Sequence, residues 1–289
     1  MLLHFYKMTG AGNDFVMVDN RDLELSSVLD KETIEALCDR RFGIGADGLI
    51  AVEPSRGKGG TVRMRYYNAD GGEAEMCGNG IRCVAKYVYD TGMTDQTHLS
   101  IESMGKVKYI DLFVKDGKVD SVQVDMGAPV LQSSAVPVVS AREQAINEAI
   151  EVAGAQYQMT CVSMGNPHCV VFIDEAVQDF DLMKIGPLFE AHPRFPKRVN
   201  AEFARILDRK TIEMRVWERG TGETLACGTG SCATAVAAIL NGLCDHDVTI
   251  RLLGGDLQIH WSGCAEDSVM MTGPATTVFS GEIVLPEEK

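Results

Sequence analysis

The chain has 289 residues, with 27 Lys or Arg against 41 Asp or Glu, a formal net charge of −14. So acidic a balance argues against a nucleic-acid surface, which needs clustered Lys and Arg, and against adhesion to anionic membranes. With 45% hydrophobic and 24% charged residues the composition is that of a soluble globular protein, and no apolar run approaches the roughly 18 residues of a membrane span.

Taken in chain order, strands are predicted over Leu2–Lys7 and Asp14–Val18, followed by a helix over Ser27–Arg40 capped at Ser26-Ser27. Strands at Leu49–Val52 and Val62–Tyr67 precede a helix over Gly80–Tyr89, which stops before Thr91-Gly92. Strands at Leu99–Glu102, Lys106–Val114 and Ser121–Asp125 lead to the softest junction, Gly127–Ala141, with Pro129, Ser133, Ser134 and Pro137. Beyond it come strands at Gln156–Val162 and Cys169–Ile173, a short helix at Phe180–Glu190, and strands at Val199–Ile206 and Thr211–Trp217. A helix over Gly230–Leu240 stops at Asn241-Gly242, and strands follow at Val248–Leu253, Asp256–Trp261, Ser268–Thr272 and Thr276–Val284. The helix Gly230–Leu240 is small or apolar all round, the mark of a buried helix that a sheet can approach closely.

The two halves of the chain repeat. Gly72-Glu73-Ala74-Glu75-Met76-Cys77-Gly78-Asn79-Gly80 and Gly222-Glu223-Thr224-Leu225-Ala226-Cys227-Gly228-Thr229-Gly230 both read G-E-x-x-x-C-G-x-G, at an offset of 150. A similar offset relates Asn13–Asp19 to Asn166–Asp174, each an Asn opening a hydrophobic strand that ends in Asp. That period is too long for a solenoid and implies two related domains. The expected fold class is α+β: two pseudo-symmetric domains, residues 1–128 and 129–274, each a curved, mainly antiparallel, barrel-like sheet around a central helix.

The nine cysteines show no C-x-x-C, and Met1–Asp14 lacks the basic and apolar regions of a secretory signal, so thiols in a cytoplasmic protein are expected. Cys38, Cys161, Cys169, Cys244 and Cys264 read as small buried hydrophobes. No phosphate-binding or dinucleotide fingerprint and no H-x-x-x-H occurs, and Gly43-Ile44-Gly45-Ala46-Asp47-Gly48 lacks the third glycine; neither cofactor nor metal is expected.

C-G-x-G at the mouth of each buried helix is where chemistry concentrates. A helix N-terminus offers unsatisfied N–H groups and partial positive charge to a carboxylate, and lowers the pKa of a cysteine placed there. Two such cysteines, Cys77 and Cys227, in equivalent places could flank a substrate from opposite faces, as inversion of an α-carbon requires: a base on one side and an acid on the other. The helix-mouth N–H groups would stabilise the developing charge.

Cys77-Gly78-Asn79-Gly80-Ile81-Arg82-Cys83 and Ala226-Cys227-Gly228-Thr229-Gly230-Ser231-Cys232-Ala233 resemble the paired signatures of the diaminopimelate epimerase family. Lys7–Phe15, Gly43–Gly48, Gly165-Asn166-Pro167-His168, Asn200 and Trp217-Glu218-Arg219-Gly220 are similar to further blocks, spread over most of the chain. The resemblance implies Cys77 and Cys227 as the acid/base pair, with Gly78, Asn79, Gly228 and Thr229 holding the reacting carboxylate. It implies His168 and Glu218 near the reacting amino group, and Asn13, Asn68, Asn166, Asn200 and Arg219 on the distal amino-acid centre. Gly48, where some members carry a substrate-binding glutamine, has no side chain to offer. The resemblance also implies a C-terminal segment, 275–289, that returns to the first domain. The expected partner is a small-molecule substrate, with a homodimer left open. Two other readings stand beside it: a proline or hydroxyproline racemase, against which the distal-centre residues argue, and a thiol redox sensor built on Cys77 and Cys227.

Overall fold

A computed structural model describes residues 1–57, 60–74 and 77–285; Glu75 and Met76 of the first motif and 286–289 of the C-terminal segment lie outside the described residues. In chain order the elements are β1 (Leu2–Gly10), β2 (Asn13–Asp19), α1 (Lys31–Cys38), β3 (Gly48–Glu53), β4 (Val62–Asn68), α2 (Gly78–Asp90), β5 (His98–Ser103), β6 (Lys106–Lys115) and β7 (Lys118–Asp125). There follow β8 (Glu148–Val152), β9 (Ala155–Ser163), β10 (Pro167–Phe172), α3 (Leu182–Glu190), β11 (Asn200–Asp208), β12 (Thr211–Glu218) and β13 (Gly222–Thr224). The chain ends with α4 (Gly228–Leu240), β14 (Asp247–Leu252), β15 (Gly255–His260), β16 (Met270–Gly273) and β17 (Thr276–Val284). These divide into two compact units, 1–124 with 273–289 and 125–272.

In the first unit the strand order is β17-β1-β2-β3-β4-β5-β6-β7; β2–β3 and β4–β5 are parallel and the other neighbours antiparallel. The second unit runs β8-β9-β10-β11-β12-β14-β15-β16, parallel only at β10–β11 and β12–β14, with β13 beside β12. Parallel neighbours need a crossover, and each unit fills its two crossovers with helices. α1 and α3 carry the first crossover and α2 and α4 the second.

α2 packs against β17 and β1 to β6, and α4 against β9, β10, β11, β14 and β15, so each sheet curls around its own helix. Ile81, Val84 and Val88 of α2, and Val236 with Ala233, Ala235, Ala237 and Ala238 of α4, are wholly buried. Each large aliphatic side chain among them contributes about 1.5–3 kcal/mol of transfer free energy, while the alanines let the sheet close in. The other sheet face carries a second core. Val16, Val18, Leu49 and Ala51 meet Ile34 and Leu37 of α1, and Cys169, Val171, Ala201 and Phe203 meet Leu182 and Phe189 of α3. Strands buried on both faces explain the unbroken apolar run of β3.

The helices depart from the predicted bounds. α2 and α4 begin at Gly78 and Gly228, two residues early, because Cys77 and Cys227 themselves act as N-caps. α1 is shorter than Ser27–Arg40: Glu24–Ser27 is a tight 3-10 turn, and the cap is Asp30, whose carboxylate accepts the Thr33 N–H at 2.8 Å. β8 and β13 were not anticipated, and the 127–141 stretch is anchored, with Val130 exchanging two 2.9 Å backbone bonds with Ser163 and Val136 and Val138 in the core. Cys38, Cys161, Cys169 and Cys244 are buried, but Cys264 is exposed in a polar turn, Ser262–Asp267, where nothing apolar draws it inward. Among the described residues no helix is long and apolar enough to cross a membrane. Asp30→Ala should lower stability, read as the midpoint of urea unfolding, while Ser27→Ala leaves it unchanged; the opposite ranking would return the cap to the serines.

Candidate functional site

In each unit the Cys-Gly-x-Gly motif opens the inner helix, and several of the predicted residues hydrogen-bond around that opening. In the first, the Gly80 N–H points at Cys77 Sγ at 3.5 Å. Gly80 sits where an added Cβ would lie 2.9 Å from Ile50 Cδ1 and 3.5 Å from Cys77 Cβ; that crowding is the physical reason for a glycine three residues after the cysteine. Asn79 is buried and held on both sides: its Oδ1 accepts from Arg82 Nη2 at 2.9 Å, and its Nδ2 donates to Asn13 Oδ1 at 2.7 Å. Asn13 Nδ2 in turn donates to Asp47 Oδ2 at 3.0 Å, and Asp47 accepts from Arg40 at 2.7 Å. One hydrogen-bond chain therefore fixes the orientation of two amides. Arg82, itself fully buried, also donates to the carbonyls of Gly78 (3.1 Å) and Pro274 (3.2 Å).

Asp14 backs this chain, pairing with Lys7 and Arg40, both at 2.7 Å. Burial would raise its carboxyl, but hydrogen bonds and charge from Arg40 and Lys7 outweigh burial and hold it well below the usual carboxylate range. Asn68 lies exposed at the end of β4, opposite Gly48 in the register. A Cβ on Gly48 would come within 2.3 Å of the Tyr67 carbonyl oxygen, so this backbone has no room for the glutamine side chain.

In the second unit Cys227 Sγ accepts from the Gly230 N–H at 3.4 Å and lies 3.5 Å from Thr229 Oγ1. Thr229 Oγ1 accepts from Asn166 Nδ2 at 3.3 Å, and Asn166 Oδ1 faces His168 Nε2 at 3.0 Å. The Asn166–Thr229 bond takes the place of the Asn13–Asn79 bond in the first unit, with donor and acceptor exchanged. Asn200 is buried, with its amide donating to the Pro167 carbonyl (2.9 Å) and accepting from the Arg219 N–H (2.8 Å). It anchors the turn that carries Arg219, whose guanidinium is exposed and donates to the Lys197 carbonyl at 3.1 Å. Glu218 pairs with the Thr224 hydroxyl and not with Arg219.

The thiol chemistry departs from the helix-terminus expectation. Burial, at 6% exposure, pushes the Cys227 thiol well above its ordinary pKa, and the carboxyls of Glu218 and Glu202 add to it. The hydrogen bonds from Thr229 and Gly230 pull the other way but do not prevail. Desolvation thus outweighs the helix mouth at Cys227 and favours the neutral thiol. Two side chains that sequence reasoning passed over belong to these sites: Arg82 and Glu202, both fully buried. Their signal was a lone charge in an otherwise apolar stretch, Ile81–Val84 and Ala201–Phe203. Among the described residues no cluster of His, Cys, Asp and Glu is placed to hold a metal ion.

The family model for diaminopimelate epimerase matches residues 5–132 and 160–278. Among curated relatives, the diaminopimelate epimerase of Agathobacter rectalis is 52% identical, covering 97% of this chain and 99% of its own. That of Acetivibrio thermocellus is 49% identical, covering 99% and 100%. Solved structures with the same fold include a phenazine biosynthesis protein of the PhzF family from Bacillus anthracis (TM-score 0.69, 15% identity, 99% and 100% covered). Another is a probable proline racemase from Agrobacterium radiobacter (TM-score 0.68, 14% identity, 98% and 93% covered).

The charge network behind Asn13 has a measurable consequence. Because the folded-state pKa of Asp14 is depressed, its stabilisation is present above the unfolded value of about 3.9 and is lost as pH falls toward the folded value. Asp14→Asn should be less stable than wild type at neutral pH, and the gap should narrow below about pH 4. Urea unfolding across that range checks it; a constant gap would contradict it.

Proposed function

The chain belongs to the diaminopimelate epimerase family, and on that premise we propose that it interconverts LL-2,6-diaminopimelate and meso-diaminopimelate by a two-base proton transfer between Cys77 and Cys227. It is accordingly an isomerase. One cysteine, as thiolate, takes the α-proton, leaving a carbanion whose charge spreads into the α-carboxylate. The other, as thiol, delivers a proton to the opposite face, and the two exchange protonation states when the reaction runs backwards. The side chains supply both acid and base, so the scheme is cofactor-independent.

The observation that carries this reading is the paired capping geometry. In each unit a thiol sits on the first turn of a buried helix, beside backbone N–H groups able to bind a carboxylate. Gly78 and Asn79, with Gly228 and Thr229, take the reacting carboxylate, where their N–H groups stabilise the developing charge. Burial at Cys227 favours its thiol form, in which it is the acid for one direction of the reaction and, once it has given up its proton, the base for the other. His168 and Glu218 lie near the reacting amino group. The distal amino-acid centre falls to Asn13, Asn68, Asn166, Asn200 and Arg219, whose guanidinium can fork onto a carboxylate. A cyclic imino acid has no second amino-acid centre for them to read. The product meso isomer would enter lysine and cell-wall precursor synthesis, in the cytoplasm.

Proton NMR of LL-diaminopimelate with the protein in D2O, under reductant, tests the reading. Deuterium should appear at the α-carbon together with meso product, and Cys77→Ala and Cys227→Ala should each abolish epimerisation. Full activity in either variant would sink the two-base scheme. Exchange on proline or hydroxyproline in place of diaminopimelate would overturn the substrate, and no exchange on any amino acid would move the weight to a redox role.

A further inference from the structure

The buried ionisable group that this chemistry leaves without a task is Glu202. It stands on β11 two residues after Asn200, on the same strand face, and both it and His168 have no solvent exposure. Its Oε1 lies 2.6 Å from His168 Nδ1, while Oε2 is buried with no hydrogen-bond partner among the described residues. The first unit shows what the fold accepts at the same places. Phe15 pairs with Gly48 as His168 pairs with Asn200, and Met17 pairs with Ile50 as Val170 pairs with Glu202. An apolar Phe–Ile pair therefore closes one sheet around its helix where the other carries a His–Glu pair, so packing alone does not call for the charge.

We propose that Glu202 is a positioning residue: it and His168 hold a single proton between Oε1 and Nδ1, which fixes the ring with Nε2 as an N–H donor at the rim of the Cys227 half-site. The proton count follows from the partners. Asn166 presents a carbonyl oxygen to Nε2, so Nε2 carries hydrogen. The other proton resides on Nδ1, beside a carboxylate, or on Oε1, beside a neutral ring, and both arrangements have no net charge. Removing it would set a buried carboxylate against a nitrogen lone pair, and adding a further one would bury an unpaired cation; both are costly in a dry site. The ionisable groups around the pair are Cys169 on β10, Glu218 on β12 and Cys227 at the head of α4. Burial raises the Glu202 carboxyl, His168 opposes that rise and Glu218 adds to it, consistent with a carboxyl that keeps its proton within reach. The inference rests on the proposed reaction only in giving the donor its purpose: a group whose state stays constant while the thiols change theirs.

Nitrogen-15 histidine NMR on the intact wild-type chain tests this without a substrate, with His168 assigned by its loss in His168→Gln. The expected result is a ring with one proton on Nε2 and the other shared between Nδ1 and Glu202 Oε1. A ring with Nδ1 protonated and Nε2 bare would overturn it. Turnover gives a second readout, because Gln can donate to Nδ1 and preserve the tautomer whereas Leu cannot. Glu202→Gln should keep kcat within a few-fold of wild type, and Glu202→Leu, folded by circular dichroism, should lose up to about a hundredfold with KM little changed. Equal losses in the two variants would contradict the tautomer role. A chain inactive on diaminopimelate would sink the proposed reaction and leave the NMR test decisive.

Discussion

Burying a whole helix inside a curled sheet is the constraint on which the rest depends. A helix surrounded by strands must bury nearly all its side chains, as small, apolar or fully partnered residues, and its first turn still presents unsatisfied N–H groups. Both units meet that demand in the same way: a cysteine caps the helix, its sulfur accepting the N–H of a glycine three residues on. The glycine is forced by crowding, since a side chain there would strike Ile50 in one unit and Glu202 in the other. The remaining free N–H groups of that turn are what make the helix mouth a place for a carboxylate.

Duplication supplies two such mouths, and the differences between them are as informative as the likeness. The direction of each neighbouring strand pair is the same along both ladders, although the edge strand β17 of the first comes last in the chain and the edge strand β8 of the second comes first in its unit, and the Asn13–Asn79 and Asn166–Thr229 bonds join corresponding positions. The backing layers differ. In the first unit Arg82, Asp47 and Arg40 clamp two amides in a charged hydrogen-bond chain, with Phe15 and Ile50 as apolar packing. In the second, His168 and Glu202 replace those apolar residues, and the added carboxyl helps keep the Cys227 thiol protonated. Two units of one topology thus back their helix mouths with different side-chain chemistry.

Much of this was legible in the chain. Period-2 alternation placed strands such as β9, β12 and β14 to within a residue or two, and the repeated G-E-x-x-x-C-G-x-G announced the two helix mouths. The misses have physical reasons. β13 is a three-residue Gly-Glu-Thr strand with no apolar signal, and β8 carried an Ile-x-Val alternation that went unread beside its charged neighbours. The cap of α1 fell to Asp30 because Ser26 and Ser27 were taken up in a tighter turn. Sequence shows the helix terminus but not the desolvation around Cys227, which pushes its thiol up. Asn200 also anchors backbone groups through its amide, a role no spacing could reveal. Glu202 escaped notice because its significance lies in a partner 34 residues away.

The central claim is that the two thiols act on opposite faces of one α-carbon. The most direct test is solvent-deuterium exchange at the α-carbon of LL- and meso-diaminopimelate in Cys77→Ala and Cys227→Ala separately. A single remaining base can exchange only the proton on its own face. The account predicts that each variant exchanges one isomer without inversion, and that the exchanged isomer is opposite in the two variants. Exchange of the same isomer by both variants, or of both isomers by either, would contradict it.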